Sequence, residues 1–509
     1  PHTRLGILQK LVPDAFLSDN ARTLHEGLDQ HYPELMKIIG GTTAFYTAFP
    51  ANGIPSQAVA IASHVAKEFN AGIGVAKTYD SNVLMNPEFQ KIFDMLRPEN
   101  VNMEQWVKLR DSVFNYNNGL GAPWYRNIAY RRYLRDGRND EYALSQMKKA
   151  LRIRPIPTYG GTVALTIALE MAVGEECILI MPRTFWGNVN LKISHNKSIK
   201  EVCDYIDIDG RINPEELTRA LTSIKSRGHH KAAVYFNFPH NPTGVVPTRE
   251  EAKAIVEIIQ DVATSDFQVI IICDEPYYPF VRGEDAISVP FSYYMQPGFN
   301  RNIITFVAIN GTKRDGMYGM RHSDLIILTP EEISDEGIRL MESNLLAGYM
   351  RGSFSFSCAL NQYLLGRALT NDPLIALRKP ANIVLNQRFF QEEDKLIAYV
   401  ETSVKDTIEA ISSIKELLRI TGDAEKDSYG GFFVTYQLSD DLKAKGITAM
   451  DLHRAGLKCN CGIIATNGFI RISGLVSKEN DPHFVANLQK TIELALKVKS
   501  REGFTESMF

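Results

Sequence analysis

Lys313 is the residue in this 509-residue chain whose setting most favours nucleophilic chemistry. Residues 305–309, Thr-Phe-Val-Ala-Ile, read as a buried parallel strand, and Asn310, Gly311 and Thr312 form the turn that delivers the lysine. Gly316 and Gly319 follow, then Arg321, eight residues past it. A lysine at the carboxyl end of such a strand sits where open α/β sheets bind ligands. Partly desolvated there, its amine loses proton affinity and can attack an aldehyde. The competing reading is a surface lysine in a loop.

Other candidates occupy similar places. The run QVIIIC ends in Asp274, with Tyr277 three residues on. A carboxylate directly after a buried apolar run is costly without a cation or donor, and a protonated ring nitrogen would serve; a helix cap or structural ion pair would serve too. The strand at residues 231–238 leads into His240, Asn241, Pro242, Thr243 and Gly244, where the plain alternative is a tight turn. Gly161 and Thr162 open a helical pattern and could bind an anion through backbone N–H groups, unless Thr162 is simply the helix cap. Trp186 follows another strand end and could stack on a planar cofactor or fill the core. Tyr116 lies in the Asn/Gly-rich loop NYNNGLG, and Gly74 in NAGIGVAK allows close backbone approach. Arg351 stands in MRGSFSFS and Arg471 inside the strand GFIRIS.

These residues need a scaffold that gathers strand ends. Apolar runs alternate with helical stretches, which predicts an α/β fold: a mainly parallel sheet with helices on both faces. YGGFFV at residues 429–434 and GFIRIS at 468–473 read as strands of a smaller α+β domain. Trp186, His240, Asn241, Asp274 and Lys313 then fall along one sheet edge. The expected division is an N-terminal extension at residues 1–65, a small domain from 66–84 and 385–509, and a large domain at 85–384. Thr248 with Glu251 gives the next helix a capping box.

Composition excludes other classes. Hydrophobic residues make up 44% and charged residues 23%, with a net charge of -3 and no long basic run, so neither nucleic acid nor an anionic membrane is an expected partner. No apolar run reaches membrane-spanning length, and the first residues carry no signal-peptide core. Six cysteines are few for this length, which fits a reducing compartment, the cytoplasm, better than a disulfide framework. Cys459 and Cys461 are too closely spaced for a zinc site.

With HNPTG at residues 240–244, Asp274-x-x-Tyr277 followed by PFVRG, and Lys313 followed by GMYGMR, the chain resembles the class I aminotransferases, fold type I enzymes that use pyridoxal 5'-phosphate. The likeness is greatest to the aspartate aminotransferase branch and runs from about residue 70 to the carboxyl end. It implies that Lys313 forms the Schiff base and moves the proton. Asp274 would hold the pyridinium nitrogen protonated, Tyr277 and Asn241 would bond the 3-oxygen, and Trp186 would stack on the ring. Gly161, Thr162, Asn310, Thr312 and Arg321 would hold the phosphate, with Tyr116 reaching it from the partner subunit of a homodimer. Arg471 would clamp the substrate α-carboxylate beside Gly74, and Arg351 the distal carboxylate of a dicarboxylic substrate. Three positions depart from that pattern. Asn310 stands for a serine, Ser323 for a glycine, and Val189 for the histidine that supports the aspartate.

The resemblance therefore implies an aminotransferase moving an amino group between an L-amino acid, aspartate- or glutamate-like, and a 2-oxo acid. An aspartate 4-decarboxylase or a related lyase with the same cofactor is the near alternative, and carbon dioxide release from aspartate would distinguish the decarboxylase. A regulator built on the same fold is the distant one. It would want a basic DNA-binding segment that residues 1–65 do not resemble.

Overall fold

Period-two alternation along buried strands sorts the large apolar side chains into two layers. The computed structural model describes residues 119–500, apart from 174–176, 196–198, 208–210, 310, 345–349, 351–353, 355, 422–428, 467 and 477–480, with a few isolated positions before 119. Seven strands make one sheet: β1 (Ile156–Thr158), β2 (Ile178–Met181), β3 (Ile199–Val202), β4 (Lys231–Asn237), β5 (Gln268–Glu275) and, beyond the two-residue β6 (Val281–Arg282), β7 (Ile303–Ile309) and β8 (Ser323–Leu328). Their order is β1-β8-β7-β5-β4-β2-β3. Strands β2, β3, β4, β5 and β7 are mutually parallel, and β8 runs against both its neighbours. The sheet is thus mainly parallel, as the alternation of strands and helices predicts.

One face carries Ile180, Val234, Phe236, Ile271 and Val307 against helices Pro214–Ser226 and Arg249–Val262. The other carries Leu179, Tyr235, Ile272, Phe306 and Ala308 against helix Gly161–Ala172. Parity along each strand therefore decides which layer a residue joins. Helix Arg249–Val262 begins with the expected capping box: Glu251 N–H donates to Thr248 Oγ1 at 3.2 Å, and Thr248 N–H to Glu251 Oε2 at 2.8 Å.

A second, antiparallel sheet contains β9 (Leu418–Ile420), β11 (Phe433–Leu438), β12 (Ile464–Thr466) and β13 (Phe469–Ser473), in the order β12-β13-β11-β9. Helices Gln387–Ile411, Ala449–Lys458 and Asp481–Lys499 cover it. The stretch YGGFFV is not one strand. Gly431 has φ 75°, in the left-handed region, which separates β10 (Tyr429–Gly430) from β11. β10 pairs with β6, and Gly430 N–H donates to the Gly244 carbonyl at 2.8 Å. The segment leading into β11, and so into the second sheet, is thereby bonded to the HNPTG turn. At Gly244, with φ 77°, a Cβ would lie 2.5 Å from the Phe433 carbonyl oxygen, so only glycine allows this approach.

The two residues after Lys313 are gripped by buried charges. Arg314 makes paired bonds to Asp136 (2.7 and 2.8 Å) and reaches Glu393 Oε1 at 2.8 Å. Arg132 bonds Asp315 Oδ2 at 2.8 Å and also meets Glu393. Glu393 sits on helix Gln387–Ile411, so it links that helix to both arginines. Burial alone would raise its carboxyl, but Arg314 and Arg132 carry it below its ordinary value. Removing one partner of such a network leaves uncompensated buried charge. Glu393→Ala should therefore lose about 3–5 kcal/mol of stability in urea unfolding at pH 7. Because the folded carboxyl is depressed, its contribution is complete above the unfolded value of about 4.3 and disappears as pH falls into the acid range. The wild-type and variant midpoints should converge there.

Candidate active site

The register Asn237–Asp274–Ala308 aligns the carboxyl ends of β4, β5 and β7. Asp274 is in phase with Ile270 and Ile272, so its side chain joins the layer under helix Gly161–Ala172. The Tyr235 hydroxyl donates to Asp274 Oδ2 at 2.7 Å, and Asn237 Nδ2 donates to the Asp274 carbonyl at 2.8 Å. Burial pushes the Asp274 carboxyl up to about 7, against the Tyr235 hydroxyl, which acts to lower it. Asn237 Oδ1 also accepts from the Asn241 N–H at 2.7 Å, which ties the strand end to the following turn. Tyr235 and Asn237 are the functional neighbours that sequence reading missed. The only signal for Tyr235 was its odd place in the alternation of β4, a polar-tipped ring in an apolar register.

Lys313 lies in a single helical turn, Gly311–Arg314, directly after β7. The residue stays partly accessible. Its Nζ is 5.0 Å from the Tyr318 ring centre and 5.8 Å from those of Tyr277 and Phe432. Burial lowers the amine to about 7, and the Arg471 and Arg321 guanidiniums act in the same direction. The rings attract a cation by about 0.5–2 kcal/mol; burial and the two arginines outweigh them.

Arg471 on β13 is buried, with its guanidinium 4.1 Å from the Phe433 ring centre and Nη1 donating to Asn241 Oδ1 at 3.0 Å. Burial brings it down to about 10, which leaves it charged at neutral pH. Tyr277 packs edge-on to Phe432 and Phe433 at 5.2 and 5.7 Å, and burial pushes its phenol up. The second sheet thus delivers Arg471 to the edge of the first.

Helix Gly161–Ala172 starts at Gly160, which has φ 80° and no side-chain cap; Thr162 stands inside the first turn and does not cap it. The Arg321 guanidinium lies against this start, and a Cβ on Gly160 would come within 3.0 Å of its Nη2. Uncapped N–H groups with an adjoining guanidinium make a site for a dianion. Thr312 faces the protein: its N–H and hydroxyl both donate to the His322 carbonyl, at 3.2 and 2.9 Å. Ser323 is tied in as well, with Oγ donating to the Ile309 carbonyl at 2.6 Å.

His240 does structural work. Nε2 donates to the Thr184 carbonyl at 3.0 Å, Nδ1 accepts from Thr243 Oγ1 at 2.6 Å, and burial holds the ring neutral, at about 4. That bond fixes the segment leading to Trp186, which is half-buried on the helix side of the sheet. Gly74, Tyr116, Asn310 and Arg351 lie outside the described residues.

The site therefore assembles a depressed lysine amine, a buried carboxyl, a buried arginine and an uncapped helix start beside a second guanidinium. In cofactor-free protein, acetylation of Lys313 followed by peptide mass spectrometry should rise as pH passes through about 7 and then level off. An ordinary exposed lysine would keep gaining reactivity until about 10.4.

Residues 141–488 match the family model described as aminotransferase class I and II. The aspartate aminotransferase of Bacillus subtilis is 28% identical over 170 residues, 33% of this chain and 38% of that protein. A mitochondrial aspartate aminotransferase of Dictyostelium discoideum is 26% identical over 264 residues, 50% of this chain and 57% of its own. The matched stretch thus spans about two fifths to three fifths of these curated relatives. Among solved structures, the cytoplasmic aspartate aminotransferase of Saccharomyces cerevisiae superposes with a TM-score of 0.66 at 15% identity, covering 88% of this chain and 97% of that one. An aminotransferase from Anaerococcus prevotii gives 0.64 at 20% identity, covering 90% and 97%. At these identities the superpositions speak for the fold, which is that of the fold type I aminotransferases.

Proposed function

The chain belongs to the class I and II aminotransferases, and we propose that it moves an amino group between an L-amino acid, aspartate- or glutamate-like, and a 2-oxo acid. The cofactor of the family is pyridoxal 5'-phosphate, and the residues present fit it. An uncapped helix start beside Arg321 suits a phosphate dianion, and a carboxylate raised by burial suits a cationic ring nitrogen. The observation that carries the reading is Lys313, whose amine is about half neutral near pH 7 at the edge where Asp274 and Arg471 converge.

When bound, the cofactor supplies an aldehyde for an amine and a ring that draws electrons from the substrate α-carbon. Lys313, with its Nζ neutral, would be the amine that holds the cofactor and the group that carries the α-proton. Asp274 would keep the ring nitrogen protonated. Tyr277 would donate to the 3-oxygen, and so would Asn241 through its amide nitrogen, since its Oδ1 already accepts from Arg471. Trp186 would cover the ring. Gly161, Thr162 and Arg321 would hold the phosphate, with Asn310 and Tyr116 as further contacts; Thr312 would join them by turning its hydroxyl away from the His322 carbonyl. Arg471 takes the α-carboxylate beside Gly74, and Arg351 the distal one. In this reading the protein is a homodimer in which Tyr116 and Arg351 serve the neighbouring subunit's site. Six cysteines in 509 residues support a reducing compartment such as the cytoplasm.

Borohydride reduction of purified protein should fix the cofactor mass on Lys313, seen by peptide mass spectrometry. Mass on a different lysine, or on none, would remove the central assignment. Lys313→Ala should abolish transamination while still binding cofactor through the phosphate contacts.

The substrate class hangs on Arg351. A desolvated arginine without a carboxylate to meet is penalised, so a two-arginine pocket favours dicarboxylates. Arg351→Leu should lower kcat/KM for aspartate and glutamate about 100-fold, ~3 kcal/mol, and barely change it for neutral amino acids. Equal losses for both classes would refute the dicarboxylate assignment.

A further inference from the structure

Asp274 presents two carboxylate oxygens to a layer that is otherwise apolar. Oδ2 accepts from the Tyr235 hydroxyl at 2.7 Å across neighbouring parallel strands. Tyr235 pairs directly with Ile272, so its ring reaches diagonally toward the residue two further along β5. The ring is fully buried between sheet and helix, and the Tyr235 carbonyl accepts from the Tyr205 hydroxyl on the far side. A buried phenol held in this way has little freedom to move its oxygen. Val189, where a histidine would support the aspartate in the aspartate branch, is buried and apolar and has no donor to offer. Asn237 holds the backbone of Asp274 and leaves its carboxylate to Tyr235.

We propose that Tyr235 is the positioning residue for Asp274: its hydroxyl occupies Oδ2 and turns Oδ1 toward the cofactor's ring nitrogen, the task that residue 189 does not perform here. The inference rests on the reading of Asp274 as the partner of that nitrogen. A hydroxyl donor also favours the ionised carboxylate, which a cationic ring needs. The alternative is that Tyr235 only packs and its contact with Asp274 does nothing for the cofactor. The two differ in one respect. A positioning role acts through the ring nitrogen alone, whereas a packing role affects every ligand of the site equally.

The test uses two cofactors, pyridoxal 5'-phosphate and its 1-deaza analogue, in which carbon replaces the ring nitrogen. Dissociation constants are measured by fluorescence titration for wild type, Tyr235→Phe, Asp274→Ala and the double variant. Wild type should prefer the natural cofactor, and Tyr235→Phe should cut that preference about tenfold, the worth of a hydrogen bond to a charged group, while leaving deaza affinity unchanged. In the Asp274→Ala background the same substitution should have no effect. An equal loss for both cofactors in Tyr235→Phe, with wild type still discriminating, overturns the inference and spares the reading of Asp274. A wild type that binds both cofactors equally overturns that reading, and the inference with it. Should Tyr235→Phe alone fail to fold, the double variant decides. Folding with the affinities of Asp274→Ala supports the coupling; failure to fold, or weaker binding of both cofactors, overturns it.

Discussion

A carboxylate at the end of a strand buried on both sides is an expensive thing to keep, and the site is arranged around Asp274. Burial drives its carboxyl up to about 7 even against the Tyr235 hydroxyl, which acts to lower it. It stays useful as an anion only if donors and a cation meet it. The protein supplies one donor to the side chain, from Tyr235, and one to the main chain, from Asn237. In the proposed function the cation is the cofactor's ring. The strand-end position is what makes this possible, because the next residue, Glu275, points to the opposite face and bonds Ser292 there.

The opposite problem holds around Lys313. Arg321 arrives with the first sheet and Arg471 with the second, and both bear on the same amine. Three potential cations around one pocket repel each other until anions arrive. A phosphate at the helix start and a carboxylate at Arg471 would be those anions, so ligand binding and the state of the lysine are linked by charge. The contact between Gly430 and the Gly244 carbonyl matters here, because it holds the segment leading into the sheet that carries Arg471 against the turn carrying Asn241. The buried ionic group of Arg132, Arg314, Asp136, Asp315 and Glu393 keeps the lysine's own turn from shifting under that repulsion.

The chain's local chemistry was legible from its letters. Apolar runs of strand length, the turn residues after them, the capping box at Thr248 and the lysine after Thr312 are each encoded by near neighbours. They suffice to predict a mainly parallel sheet and one chemically active edge. HNPTG, Asp274-x-x-Tyr277 and GMYGMR carried the family. The same local reading made YGGFFV one strand, because composition favours extension there, whereas Gly431 takes a left-handed turn so that β10 can pair with β6.

What only the tertiary structure decided is which side chains meet. Tyr235 and Asp274 are 39 residues apart, and their bond depends on the register of β4 against β5 and on both residues sharing a face. Glu393 joins Arg132 across 261 residues of sequence. Thr312 donates to the His322 carbonyl and His240 to the Thr184 carbonyl, acceptors that their sequence neighbours do not reveal. Periodicity is a property of a few consecutive residues and survives in the sequence. A partner across a sheet is set by the packing of the whole layer, and no short stretch of the chain contains it.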